Sequence, residues 1–163
     1  MASPRWESCF DRSIALERMI EKYYRTLSRE FQSREDIGRF FLEMASDEAG
    51  HAKTLENAKM LGTRLERPQN EIDDVADRIG KLEEDLAEKT KSDYRDLDQV
   101  FLRVYGIEKS ELNKIFLLLM LDVLGPGTDS EHLVKLLERH IEKVSKLGVL
   151  YKAEERAMIK PQR

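Results

Sequence analysis

Cysteine is almost missing from this sequence. Cys9 is the single thiol among 163 residues, so no internal disulfide can form and no Cys-x-x-Cys pair exists to hold a zinc ribbon or an iron–sulfur cluster. A reducing, cytoplasmic setting is expected. Proline (four) and glycine (eight) are sparse, which removes the turn supply of a β-rich fold. No apolar run is long enough to span a bilayer: the strongest, residues 115–124, is too short and contains Asp122, and the amino terminus lacks a signal-peptide core. A basic stripe is missing too. The 28 Lys and Arg are dispersed among 32 Asp and Glu, for a net charge of −4, so neither nucleic acid nor a membrane is an expected partner.

What remains is amphipathic sequence, 40% hydrophobic and 37% charged, in a chain of single-domain size. The spacing predicts an all-α fold. A first helix over about residues 11–31 carries Ile14, Glu17, Ile20, Tyr24, Leu27 and Phe31 on one face, with Asp11 or Ser13 as cap. Ser33-x-x-Asp36 has the form of a capping box opening a second helix that Gly62 ends. A connecting helix over about 70–91 has a narrow seam, Ile72, Val75, Ile79, Leu82 and Leu86. It can cross between bundle ends or pair with its copy in a dimer. A third helix is expected over 97–124, stopped by Gly125-Pro126-Gly127. A fourth follows the capping box Thr128-x-x-Glu131, with Leu133, Leu137, His140, Val144 and Leu147 on its core face. The helical hairpins thus cover about 11–62 and 97–150.

Ionisable groups interrupt these apolar faces. On the second helix the stripe reads Ile37, Phe41, Met44, Glu48, His51, Leu55 and Ala58, with a carboxylate and an imidazole where packing would choose Leu or Ile. An unpaired carboxylate there would cost several kcal/mol, and a metal ion is the obvious partner. Glu17, Glu108, Glu111 and His140 occupy equivalent inward positions on the other three helices. At a rise of about 1.5 Å per residue, Glu17 lies roughly 22 Å before the first turn and Glu48 roughly 21 Å after it. Glu111 and Glu108 lie roughly 21 and 25 Å before Gly125, His140 roughly 18 Å after Thr128, and His132 only about 6 Å after it. His140, not His132, reaches the common level. Four carboxylates and two imidazoles without thiolate suit iron, or manganese as the alternative.

Ala15-Leu-Glu17, with Tyr24 seven residues on, followed by Asp47-Glu48-Ala-Gly-His51, resembles the first half of a ferritin-like, rubrerythrin-type diiron protein. Glu108-Lys-Ser-Glu111 is similar to the Glu-x-x-Glu pair of that family's third helix. The resemblance implies a ferritin-like four-helix bundle of two hairpins plus a connecting helix, two iron ions, and reaction with peroxide or dioxygen or oxidation of Fe(II). It assigns Glu17, Glu48 and His51 to one iron, with Glu48 bridging, and Glu108 and His140 to the other. Tyr24 would be a hydrogen-bond donor or radical trap. Leu137 stands where the family's fourth helix carries a Glu, and Glu111 would fill that gap. Rubrerythrins proper deliver electrons through the four cysteines of a rubredoxin domain, which this sequence lacks, so a peroxidase would need an external donor. A homodimer is expected from the apolar run 115–121, which exceeds the need of one seam. Against these stand a non-enzymatic helical bundle with a degenerate site, for which Leu137 argues, and a protein holding a single metal on Glu17, Glu48 and His51.

Overall fold

The computed structural model describes residues 4–62, 67–91 and 96–124 and, towards the carboxyl end, 134–135, 138–139, 142–146 and 148. Among the described residues there are five helices and no strand: α1 (Pro4–Glu30), α2 (Glu35–Leu61), α3 (Gln69–Lys89), α4 (Leu97–Glu108) and α5 (Leu112–Leu124). No helix among them is long and apolar enough to cross a membrane.

The first helix begins seven residues earlier than its expected cap. Pro4 opens it, at the position where a missing N–H is harmless, and Trp6, Cys9 and Phe10 extend its buried face. A tight turn then folds α2 back against α1. Arg34, not Ser33, is the residue before α2, and its side chain makes no capping bond, so the expected capping box does not form. The crossing is close instead. A Cβ on Gly38 would lie 3.2 Å from the carbonyl oxygens of both Phe31 and Ser28, and Ser28 Oγ donates to the Gly38 carbonyl at 2.8 Å. Gly38→Val should therefore lower stability by about 2 kcal/mol through overpacking against backbone. Gly38→Ala should come out near neutral, its crowding offset by about 1 kcal/mol of helix propensity. Thermal unfolding of the two variants checks this. Gly62, at φ 76°, ends α2 as the sequence predicts.

The connecting helix lies along the first half of α1 and runs the same way. Arg5 pairs with Asp73 at 3.0 Å, and Arg12 donates to Glu83 at 2.7–2.8 Å and to the Ala76 carbonyl at 3.2 Å. Its predicted seam, Ile72, Val75, Ile79, Leu82 and Leu86, is buried throughout.

The third bundle helix is present but interrupted. Phe101 faces Phe41 (ring centroids 6.2 Å), Glu108 meets Tyr24, Phe116 lies against His51 (5.0 Å) and Asp122 meets Trp6. These contacts set α4 and α5 parallel to α2 and antiparallel to α1. One continuous helix over 97–124 was expected, yet residues 109–111 break it. The break is stabilised locally: the Leu112 N–H points at Ser110 Oγ (3.4 Å), and Asn113 Nδ2 donates to the Glu108 carbonyl at 2.8 Å, satisfying a group the helix no longer bonds. Of the fourth helix, the described residues 142–146 are helical, Val144 is buried, and Lys143 reaches Asp47 of α2. Leu137, His132, His140 and the Thr128–Glu131 cap lie outside the described residues.

Candidate metal centre

Glu17 sits midway along α1, seven residues after Phe10 and seven before Tyr24, so the helix presents it on the same inward face as both rings. From α2, Glu48 and His51 lie one turn apart and face the same interior. All three are buried, at 1%, 3% and 5% exposure, within an otherwise apolar core. One ligand atom from each lies within 4.8 Å of the others, spacing that a single ion can bridge. His51 Nδ1 is 3.1 Å from Glu48 Oε2 and 3.7 Å from Glu17 Oε2, the second being an ion-pair rather than a hydrogen-bond distance. Glu17 Oε2 is buried without a hydrogen bond.

The electrostatics are those of a site with too much negative charge for its burial. Burial first, and the neighbouring Glu48 carboxylate second, push the Glu17 carboxyl well above the usual range. Burial opposes a charge on His51, but Glu17 and Glu48 together outweigh it and raise the imidazole to about 10. The cluster therefore holds protons at neutral pH in the absence of a cation. A di- or trivalent ion would replace those protons, satisfy Glu17 Oε2 and cancel the repulsion, so two carboxylates and an imidazole fit iron or manganese on chemical grounds.

Tyr24 and Glu108 form an adjoining pair. The buried phenol donates to Glu108 Oε1 at 2.5 Å. Burial, then the charges of Glu108 and Glu48, raise the phenol well above its ordinary value, so it keeps its proton. Tyr24, Phe41, Phe101, Phe31 and Phe40 form an aromatic layer on the hairpin-turn side of the cluster, and Phe116 covers His51.

Of the residues singled out in the sequence, Glu17, Glu48 and His51 come together and Glu108 reaches the cluster's edge through Tyr24. Glu111 is placed elsewhere. The break at 109–111 turns its side chain outward, 44% exposed, where it accepts from Arg78 (2.7 Å) and Lys114 (2.5 Å), and these cations lower its carboxyl pKa. The seam argument failed there because it assumed an unbroken helix. His140 lies outside the described residues.

Sequence reasoning did not foresee two residues that shape this region. Asp122, noted only as a charge within an apolar run, is fully buried, accepting from Trp6 Nε1 at 2.6 Å and Arg67 Nε at 2.8 Å. Phe116, the ring over His51, carries no polar signal that could have marked it.

Comparison with known proteins agrees with this geometry. No curated protein and no solved structure matches the chain significantly. The family model for rubrerythrin matches residues 9–83, which span most of α1, all of α2 and most of α3 and so include Glu17, Glu48 and His51. Residues 9–83 of this chain are thus similar to the rubrerythrin family.

Proposed function

We propose that the protein is a non-haem iron oxidoreductase of the rubrerythrin and ferritin type, which reacts with peroxide or dioxygen or oxidises Fe(II). The observation that carries this reading is the buried Glu17–Glu48–His51 cluster inside the segment that the rubrerythrin family model matches. Glu17, Glu48 and His51 would hold one iron, with Glu48 shared towards a second ion held by Glu108 and His140. Bound iron would supply the electrons that a peroxide or dioxygen takes up. Tyr24 keeps a proton on its phenolic oxygen and orients Glu108 through it. Phe116 shields the imidazole of His51 from water, which strengthens each electrostatic contact beneath it. The electrons would come from an external donor. The reducing cytoplasm suits the lone buried Cys9, whose thiol burial holds above its ordinary pKa. Two copies would pair through the run 115–121, where Leu117, Leu118 and Leu121 remain only half-buried in the single chain.

A one-metal centre on Glu17, Glu48 and His51 is the second reading. It is favoured by the outward pairing of Glu111 with Arg78 and Lys114, which leaves this side chain no part in replacing the oxygen missing at Leu137.

Adding peroxide or dioxygen to anaerobically Fe(II)-loaded protein separates these readings from a plain scaffold. Oxidation of bound iron faster than that of free Fe(II) supports the proposal, and equal rates contradict it. Metal uptake should also depend on pH. Because the Glu17 and His51 values are both raised, binding must expel protons, about one or two per metal, and affinity should strengthen as pH rises through the neutral range. In the metal-free protein the sign is opposite. Groups whose folded pKa values are raised stabilise the fold fully below their unfolded values, and that contribution is lost as pH climbs towards about 10, the folded value of His51. Calorimetric titration in buffers of different ionisation enthalpy measures the proton release.

A further inference from the structure

Ser13 lies inside α1, not at its start, and is buried at 1% exposure. A hydroxyl within a helix commonly donates to the carbonyl one turn back, as Thr26 does to Lys22 (2.9 Å), Thr54 to Gly50 (2.8 Å) and Thr90 to Leu86 (2.8 Å). Ser13 Oγ makes no such bond and has no other hydrogen-bond partner among the described residues. Native structures almost always give a buried hydroxyl a partner, ordered water included. A second buried oxygen in the same condition stands one turn further on. Glu17 Oε2 also lacks a hydrogen bond, and Cys9, Ser13 and Glu17 recur at four-residue spacing on one buried face of α1. Side chains lean towards the amino end of their helix, so the Glu17 carboxylate leans towards the turn that carries Ser13. Cβ atoms at that spacing are about 5–6 Å apart, and the two oxygens do not bond each other, which leaves a span that one water oxygen closes. The surroundings suit a water. On the hairpin-turn side the cluster is walled by the rings of Tyr24, Phe41 and Phe101. On the Ser13 side the antiparallel register, fixed by the Ser28–Gly38 and Asp11–Lys59 contacts, sets the buried turn of Ala52 and Leu55 opposite, and both Cys9 and Ala52 are small.

We infer that Ser13 Oγ and Glu17 Oε2 hold one internal water between them, and that through it Ser13 is a positioning residue for the metal centre. Ser13 donates to the water oxygen, the water donates to one lone pair of Glu17 Oε2, and the other lone pair is left for the ion. An outer partner of this kind fixes the direction of a ligand without touching the ion. The inference rests on the metal reading above and deepens it by assigning the group that orients Glu17.

Threonine and valine share a shape and differ only in the hydroxyl, so Ser13→Thr and Ser13→Val separate hydrogen bonding from packing. The Fe(II) affinity of the full chain is measured anaerobically by competition with a chelator, and the long-lived internal waters of the metal-free chain are counted by relaxation dispersion of water oxygen-17. Ser13→Thr should keep the water and hold affinity within about threefold of the wild type, because the donor remains. Ser13→Val should lose about one internal water and about tenfold in affinity, the lower end of what losing an outer partner of a ligand costs. Ser13→Ala, which adds no bulk, should follow Ser13→Val in both readouts. Equal affinities in the threonine and valine variants, with iron bound by the wild type, would overturn the positioning role alone. An unchanged water count in Ser13→Val would overturn the bridge. A wild-type chain that takes up no iron would overturn the metal reading, and the positioning role with it.

Discussion

Glu48→Ala is expected to lose metal uptake and yet remain folded. Glu48 is the central member of the cluster: it adjoins His51 Nδ1 at 3.1 Å, and its charge reaches both Glu17 and Tyr24. Losing an outer partner of a metal ligand typically costs 10–100-fold in affinity, so losing a ligand should cost more than about 100-fold. The metal-free protein behaves differently, because there Glu48 is one of two buried carboxylates that repel each other. Neutralising it relieves Glu17 of the repulsion but also takes a counter-charge from His51, two effects of opposite sign. Glu48→Gln, which leaves almost no void, should therefore show a metal-free Tm close to that of the wild type, whereas Fe(II) should raise Tm only in the wild type. Uptake unchanged in both variants would remove Glu48 from the site. A large metal-free destabilisation in Glu48→Gln would make the residue a structural one.

Asp122→Ala is expected to be among the most destabilising single changes in the chain. The carboxylate is fully buried and ties three segments together: Trp6 at the start of α1, Arg67 ahead of α3, and α5 on which it sits. Arg67 also lies over the Trp6 ring at 5.1 Å, so the anion's two partners touch each other as well. Its removal leaves a buried indole N–H without its acceptor and a four-fifths-buried guanidinium with the more exposed Glu71, at 3.2 Å, in place of a buried anion, at a cost of about 3 kcal/mol, or roughly 6–12 °C in Tm. Asp122→Asn retains an acceptor for one donor and should lose about half as much. Trp6→Phe keeps the packing and the Arg67 ion pair and should lose about 1 kcal/mol, the value of one buried hydrogen bond. Urea unfolding of the three variants gives the order. An Asp122→Ala loss no larger than that of Trp6→Phe would mean that the carboxylate contributes only shape.

The parts of this protein that were legible in its sequence are those governed by periodicity. Apolar residues at three- and four-residue spacing located α2 and α3 to within a residue or two, and the same spacing made Glu48 and His51 conspicuous, because packing alone would not choose them. Glu17 followed from its axial level opposite Glu48. The start of α1 was missed because Asp11 and Ser13 read as caps, although Pro4 offered the better opening and Trp6 continued the apolar face. The interruption at 109–111 was missed for a different reason. Neither glycine nor proline marks it, and the apolar spacing continues across it. Its local signals are Ser110, whose hydroxyl faces the Leu112 N–H, and Asn113, which caps the Glu108 carbonyl. Turned outward by that break, Glu111 meets Arg78 on a helix some thirty residues away, a tertiary contact that no local pattern encodes.

Iron content per chain after anaerobic Fe(II) loading and removal of unbound metal tests the metal centre most directly. On the proposed reading the buried Glu17–Glu48–His51 cluster holds at least about one iron per chain, and about two if Glu108 and His140 complete the centre. A wild-type chain that retains no iron, with folding intact, would contradict it.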